Sequence, residues 1–171
     1  MTVVQTVELL PDAATDAAVR AQWEALLAAG LPSQARHTGA TNAPHVTLGV
    51  CSAVPHSVEP RLADAVAALP VPLRLGGLVV FGTRRRVLAR LVVPSPELLT
   101  LHAEVAGVLN GCPGQRDLLA PGRWTAHITL ARGLREDQLG AALVVCAGEE
   151  VDGSAVAARR YDGDTRTAWL L

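Results

Sequence analysis

A four-residue pattern that occurs twice constrains this sequence more than any other feature. HVTL at residues 45–48 and HITL at residues 127–130 each combine a His, a branched apolar residue, a Thr and a Leu. The two histidines lie 127 − 45 = 82 positions apart in a chain of 171 residues, which is about half its length. Counting template matches gives a chance of roughly one in a thousand for two such occurrences. We therefore expect an internal duplication with one copy of the motif in each half.

Strand geometry gives each motif two distinct faces. Side chains alternate across a strand, so His45 and Thr47 share one face while Val46 and Leu48 share the other. The second motif repeats this arrangement. The apolar faces are expected to pack under helices, and the polar faces to line one groove. A purely structural role stays open, but it requires buried hydrogen-bonding partners for all four polar side chains.

Hydrophobic periodicity and turn residues predict an alternation of strands and helices. The predicted strands are 3–10, 45–50, 71–81, 87–93, 126–132, 151–160 and 165–171. Predicted helices begin at the capping residues Asp12, Ser57 and Ser95, the last of them running to Leu109, and a fourth follows Arg135. The first helix is expected to bury Val19, Trp23, Leu26 and Leu27. The chain is thus expected to form a single α+β domain over residues 1–171.

Composition excludes several classes of protein. Half of the residues are apolar and 18% are charged, which suits a packed core and argues against disorder. A net charge of −1 excludes the broad basic surface of a duplex-DNA binder, although a narrow Arg-lined cleft stays compatible with it. Three cysteines without a CxxC pair argue against a disulfide framework or zinc site. With no signal peptide and no apolar run of about 18 residues, we expect a cytoplasmic, monomeric protein without membrane partners. All 15 basic residues are Arg and none is Lys, which indicates an origin in a bacterial genome of high GC content.

The paired motif suits chemistry at phosphorus. In-line displacement needs a base beside the attacking oxygen and an acid beside the leaving oxygen, on opposite sides of the phosphorus atom. Two histidines, with an unperturbed pKa near 6.5, can supply both, and the Thr hydroxyls can bind the non-bridging oxygens. A metal site is the alternative, although each strand offers one good ligand and Thr is a poor zinc ligand. We expect neither a metal nor a cofactor.

The motifs carry a family resemblance. PHVTL and AHITLAR resemble the paired H-x-[ST]-x signatures of the 2H phosphoesterases, the 2'-5' RNA ligase-like superfamily. The segment FGTRRRVLARLVVPSPELLTLHAEV at residues 81–105 is similar to the corresponding part of bacterial RNA 2',3'-cyclic phosphodiesterases. The resemblance is clear over residues 42–132 and extends over the chain. It implies a bilobal fold of two pseudo-symmetric lobes, whose antiparallel sheets line a central cleft with helices outside.

The resemblance also implies an activity. Family members open 2',3'-cyclic phosphates on RNA 3' ends or nucleotides to 2'-phosphates without a metal, and some reversibly join RNA ends through 2'-5' bonds. The motif positions that match are His45 and His127 as catalytic residues, Thr47 and Thr129 as phosphate-binding residues, and Arg132 as a further phosphate contact. Which His is the acid stays open. The alternatives are the same chemistry on a non-RNA substrate such as ADP-ribose cyclic phosphate, and a non-catalytic nucleotide-binding module.

Several further residues are candidates for substrate contacts. Phe81 fits either base stacking or the core, and Arg84 fits either a phosphate contact or a solvated turn. Strand alternation places Arg123 on the face of His127 and Trp124 on the apolar face. In the family, an aromatic residue and a Leu-Gly step commonly follow the first motif, whereas Gly49-Val50-Cys51 follows it here. The histidines outside the motif are expected to be non-catalytic: His37, His56 and His102.

Overall fold

The computed structural model describes residues 4–171, so residue 3 of the first predicted strand lies outside the described part. Within these described residues, seven strands and four helices follow one another in nearly the predicted order. The strands are β1 Gln5–Pro11, β2 Val46–Cys51, β3 Val71–Phe81, β4 Arg86–Val93, β5 His127–Leu134, β6 Val151–Asp162 and β7 Thr167–Leu170. The helices are α1 Ala13–Ala28, α2 Glu59–Ala65, α3 Pro96–Leu109 and α4 Glu136–Val145, with short 3-10 turns at Gln34–Arg36, His56–Val58 and Asp117–Leu119.

Local capping chemistry sets the helix starts. The Asp12 carboxylate accepts the backbone N–H of Thr15 at 2.8 Å, and the Ser95 hydroxyl accepts that of Leu98 at 3.1 Å. Both predicted caps are therefore confirmed. The predicted cap at Ser57 is wrong, because Ser57 lies inside a 3-10 turn and α2 begins at Glu59 without a side-chain cap. Proline suits the first turn of a helix, so the proline that follows Glu59 favours this later start.

All seven strands belong to one antiparallel sheet in the order β1-β2-β5-β4-β3-β6-β7, with a further pairing between β1 and β6. The long strand β6 pairs with both β1 and β3. Its first residues, Val151 to Ala155, pair with β3, and the stretch from Ala155 to Asp162 pairs with β1. This mixed α/β architecture confirms the predicted fold class.

The core lies on the apolar faces of the motif strands. The apolar residues of both motifs have no solvent exposure: Val46, Leu48, Ile128 and Leu130. Helix α1 buries Val19, Trp23 and Leu26 as expected, but Leu27 is 37% exposed. Successive helical residues differ by about 100° around the axis, so Leu27 falls at the edge of the buried stripe. In the part of the chain that the structure describes, no helix is long and apolar enough to cross a membrane.

Candidate active site

The two motif strands meet at their apolar second residues, where Val46 of β2 pairs with Ile128 of β5. Continuing this antiparallel register by one residue in each direction sets the His of each motif opposite the Thr of the other. His45 and His127 then lie on one diagonal of a four-residue patch. Diagonal neighbours on a sheet are about 7–8 Å apart, a separation that leaves room for a phosphate between two side chains. The fold therefore brings the four predicted motif residues together.

The backbone orients both imidazole rings in the same way. His45 Nδ1 lies 2.8 Å from the carbonyl oxygen of Ala43, and His127 Nδ1 lies 2.7 Å from that of Thr125. A carbonyl can only accept, so each Nδ1 carries the hydrogen and donates it. In both rings Nε2 is left to accept or release the proton that matters for chemistry. In each half, the accepting carbonyl belongs to the residue two positions before the His, a similarity that fits the expected duplication.

The ring of His127 is partly desolvated. Burial lowers the pKa of His127 below its ordinary value, the carbonyl of Thr125 opposes this shift, and the positive charges of Arg132 and His45 add to it. The ring of Phe81 lies 4.6 Å from the His127 ring, at an interplanar angle of 46°, and is part of this apolar surrounding. Near neutral pH, His127 is therefore neutral and can accept a proton at Nε2.

An irregularity in β5 places Arg132 next to Thr129. Ala89 of β4 pairs with Thr129, and Val87 pairs with Arg132, so two steps on β4 match three steps on β5. On a regular strand, residues three positions apart point to opposite faces, and the extra residue of this bulge returns Arg132 to the face of Thr129. A guanidinium nitrogen of Arg132 lies 3.5 Å from Thr129 Oγ1. The guanidinium group of Arg132 and the hydroxyl of Thr129 can together donate hydrogen bonds to phosphate oxygens.

Two tryptophans hold the backbone of the motif threonines, a feature that the sequence did not indicate. The indole N–H of Trp23 donates to the carbonyl oxygen of Thr129 at 3.0 Å, and that of Trp124 donates to the carbonyl oxygen of Thr47 at 3.0 Å. The rest of Trp124 packs against the core, as predicted. Because β2 and β5 pair over a short stretch, these two bonds help to fix the strands that carry the site.

A buried carboxylate beside His45 was also missed. Glu8 is 4% exposed, and its carboxylate accepts hydrogen bonds from Arg159 Nε at 2.8 Å and from the Thr6 hydroxyl at 2.7 Å. Glu8 Oε1 lies 3.5 Å from His45 Nε2. The sheet register explains this proximity, since Glu8 pairs with Thr47 on one side and with Arg159 on the other. A charged residue inside an apolar strand was the available signal, but its partner is 151 positions away.

The weaker candidates lie in different surroundings. Arg84 is exposed on the turn between β3 and β4, and among residues 4–171 no hydrogen bond joins it to a motif residue. Arg123 is exposed in the turn before β5; because β5 begins at His127, strand alternation does not extend to Arg123. Packing explains why a glycine follows the first motif at position 49, because a Cβ there would collide with the side chain of Leu109 from α3.

The other histidines differ from the motif pair. His102 is 1% exposed, stacks parallel on Trp124 at 3.9 Å and bonds to the carbonyl oxygen of Leu119 at 2.9 Å. Burial lowers the pKa of His102. His37 and His56 are exposed. The three cysteines are free and buried, and in residues 4–171 no three His, Cys, Asp or Glu side chains are grouped so that they could hold a metal ion.

The chain is similar to known proteins in sequence and in fold. A family model described as the 2'-5' RNA ligase superfamily matches residues 11–163. The structure of Kluyveromyces marxianus Usb1 is similar over 98% of this chain and 97% of that chain, with a TM-score of 0.54 and 14% identity. The structure of Kluyveromyces marxianus Usb1 with uridine monophosphate gives a TM-score of 0.52 at 13% identity, over 99% and 97% of the two chains. No curated protein matches the sequence. The chain belongs to the 2'-5' RNA ligase superfamily.

Proposed function

We propose that this protein is a metal-independent phosphodiesterase that opens 2',3'-cyclic phosphates on RNA 3' ends or nucleotides to 2'-phosphates. One observation carries the proposal: two histidines from matching strands are each fixed by a backbone carbonyl at Nδ1, which leaves Nε2 for proton transfer. A passive binding site needs no such matched pair. Membership in a superfamily of RNA ligases supports phosphoester chemistry, and a protein of similar fold has been solved with uridine monophosphate.

Burial of His127 supports a division of roles. Neutral His127 accepts a proton from water at Nε2, and the water oxygen forms a bond to phosphorus. The bond between phosphorus and the 3' oxygen breaks, and its electron pair stays on that oxygen. Protonated His45 donates its Nε2 proton there, which yields a 3' hydroxyl and a 2'-phosphate. Exchange with solvent then restores both rings, and each proton transfer typically contributes about 10² to 10⁴ in rate.

The remaining motif residues stabilise charge during this displacement. The hydroxyls of Thr47 and Thr129 donate to the non-bridging oxygens, where negative charge accumulates. Arg132 adds a charge-assisted hydrogen bond on the side of Thr129. The same displacement, run with the 5' hydroxyl of a second RNA in place of water, joins two ends through a 2'-5' bond. Ligation is therefore a second activity of the proposed site.

The decisive assay incubates the protein with uridine 2',3'-cyclic phosphate and with a cyclic-phosphate-ended RNA oligomer, both in the presence of EDTA. We expect 2'-phosphate products, resolved from 3'-phosphates by phosphorus NMR. The substitutions His45→Ala and His127→Ala should each lower kcat by about 10² to 10⁴. His56→Ala is the matched control, because this His is exposed and lies outside the motifs. Near wild-type rates in both motif variants, or a requirement for a divalent metal, contradict the proposal.

A non-RNA substrate is the second candidate. The net charge of −1 and the aromatic content of 3% give little surface for a long RNA backbone or for base stacking. ADP-ribose cyclic phosphate requires the same displacement at a cyclic phosphate without a long strand. Including it in the same assay separates the two, since a kcat/KM for this compound well above that for the RNA oligomer favours the second candidate.

A further inference from the structure

A pocket of about 560 Å³ opens beside His45. One wall is the loop of residues 36–42, which precedes the first motif, and the other includes Tyr161 and Arg166 from the end of β6 and the turn after it. His45 and Glu8 also line the pocket. Its volume falls in the range of about 300–1,000 Å³ that is typical of small-molecule sites. A molecule whose reacting phosphate lies between the two motif histidines can therefore extend into this pocket.

The lining of this pocket is positively charged, although the whole chain is not. Three arginines line it, against a single carboxylate from Glu8. The carboxylate of Glu8 already forms an ion pair with Arg159, with 2.8 Å between Oε2 and Nε. The positive charges of Arg36 and Arg166 therefore have no carboxylate partner among the residues that line the pocket. One nitrogen of Arg36 donates to the carbonyl oxygen of Leu31 at 3.3 Å, a contact that leaves its charge uncompensated. A concave surface with two uncompensated positive charges attracts an anion.

Arg166 is unusual in its backbone as well as in its charge. Its backbone φ is 56°, and within residues 4–171 no other non-glycine residue has a positive φ. Glycine or asparagine adopts this left-handed conformation at lower cost than arginine. Within residues 4–171, no acidic side chain forms an ion pair with Arg166. The nearest acidic residues in its own turn do not line the pocket, and Asp162 accepts the backbone N–H of Asp164 at 2.8 Å.

We propose that this pocket binds a second phosphate group, carried by the same nucleoside that bears the cyclic phosphate. The inference rests on the proposed function, because it takes the reacting phosphate to lie between the motif histidines. Guanidinium groups are well suited to phosphate, and the partly exposed ring of Tyr161 offers the pocket a flat face for a base. The preferred substrates are then nucleoside cyclic phosphates with an additional 5'-phosphate or 5'-pyrophosphate, and a bare nucleoside cyclic phosphate is a poor one.

The test compares uridine 2',3'-cyclic phosphate with the same compound carrying a 5'-phosphate. We expect kcat/KM to be at least about tenfold higher for the 5'-phosphorylated compound, mainly because its KM is lower. This ratio corresponds to the contribution of one hydrogen bond to a charged group. Arg166→Gly should reduce this ratio to about one, and it should fold well because glycine adopts a positive φ freely. Arg36→Gln is a second variant that should lower the ratio. Arg61→Ala, at an exposed arginine of α2 outside the pocket, should leave it unchanged.

The outcomes separate this inference from the proposed function. If both compounds are opened at equal rates, or if the preference survives in both Arg166→Gly and Arg36→Gln, the second-phosphate pocket is wrong and the phosphodiesterase activity stands. If neither compound is opened, the proposed function fails and this inference falls with it. A preference that is lost in Arg166→Gly and kept in Arg61→Ala supports the pocket.

Discussion

His102 provides a sharp test of the distinction between a structural and a catalytic histidine. The substitution His102→Leu removes the hydrogen bond to the Leu119 carbonyl and the parallel stacking on Trp124, and it keeps an apolar side chain of similar size. Losing the hydrogen bond costs about 0.5–1.5 kcal/mol, and losing the aromatic pair costs about 0.5–1.5 kcal/mol. The free energy of unfolding should therefore fall by about 2 kcal/mol. For a chain of this size, the melting temperature should drop by roughly 6 °C.

The pH dependence of this loss has a defined sign. Burial lowers the pKa of His102 in the folded protein, so below about pH 6.5 the unfolded chain binds more protons than the folded one. The wild-type protein consequently loses stability as the pH falls below about 6.5. The His102→Leu variant lacks this contribution, so the difference in unfolding free energy between the two proteins should shrink from pH 7.5 to pH 5. His127 has a shift in the same direction, but it is present in both proteins and cancels.

Urea unfolding followed by tryptophan fluorescence measures these free energies, and kcat/KM is measured on the folded fraction of each protein. Glu104→Gln is the matched control, an exposed substitution on the same helix. The His102→Leu variant should keep its activity within about twofold, since His102 lies outside the motifs and donates to a backbone carbonyl. An unchanged unfolding free energy, or a fully folded variant that has lost most of its activity, refutes the structural role.

Two further predictions concern the surroundings of the motif strands. Glu8→Gln leaves Arg159, which is 8% exposed, without its charged partner, so the free energy of unfolding should fall by about 3 kcal/mol; a change below about 0.5 kcal/mol in urea unfolding contradicts a buried ion pair at this position. Gly49→Val should lower the free energy of unfolding by about 1–3 kcal/mol, because the new side chain meets Leu109 in the core; calorimetry that shows an unchanged melting temperature contradicts this packing.

Local patterns explain why much of the fold was predictable. The alternation of polar and apolar residues in each motif is a property of a few neighbouring positions, so it identified both strands and the faces on which His45 and His127 lie. The helix starts at Asp12 and Ser95 followed from side chains that cap the adjacent backbone. The cap expected at Ser57 failed because the chain forms a 3-10 turn there before α2.

Contacts between distant parts of the chain could not be predicted in this way. Glu8 meets Arg159 because β1 lies beside β6, and Trp23 reaches the carbonyl of Thr129 because α1 packs on β5. Neither neighbour is implied by the residues around it. Arg132 came from family resemblance alone, since the strand period by itself assigns it to the wrong face, and the bulge in β5 supplies the physical reason.

The pH dependence of kcat/KM, compared between the wild type and the two His variants, tests the central claim most directly. A base and an acid acting on one phosphate give a bell-shaped profile. Since burial lowers the pKa of His127, the rise on the acid side should lie below about pH 6.5. The residual activity of His127→Ala should lack that rise, and the residual activity of His45→Ala should keep it. An acid-side rise that persists unchanged in His127→Ala contradicts the paired acid–base mechanism.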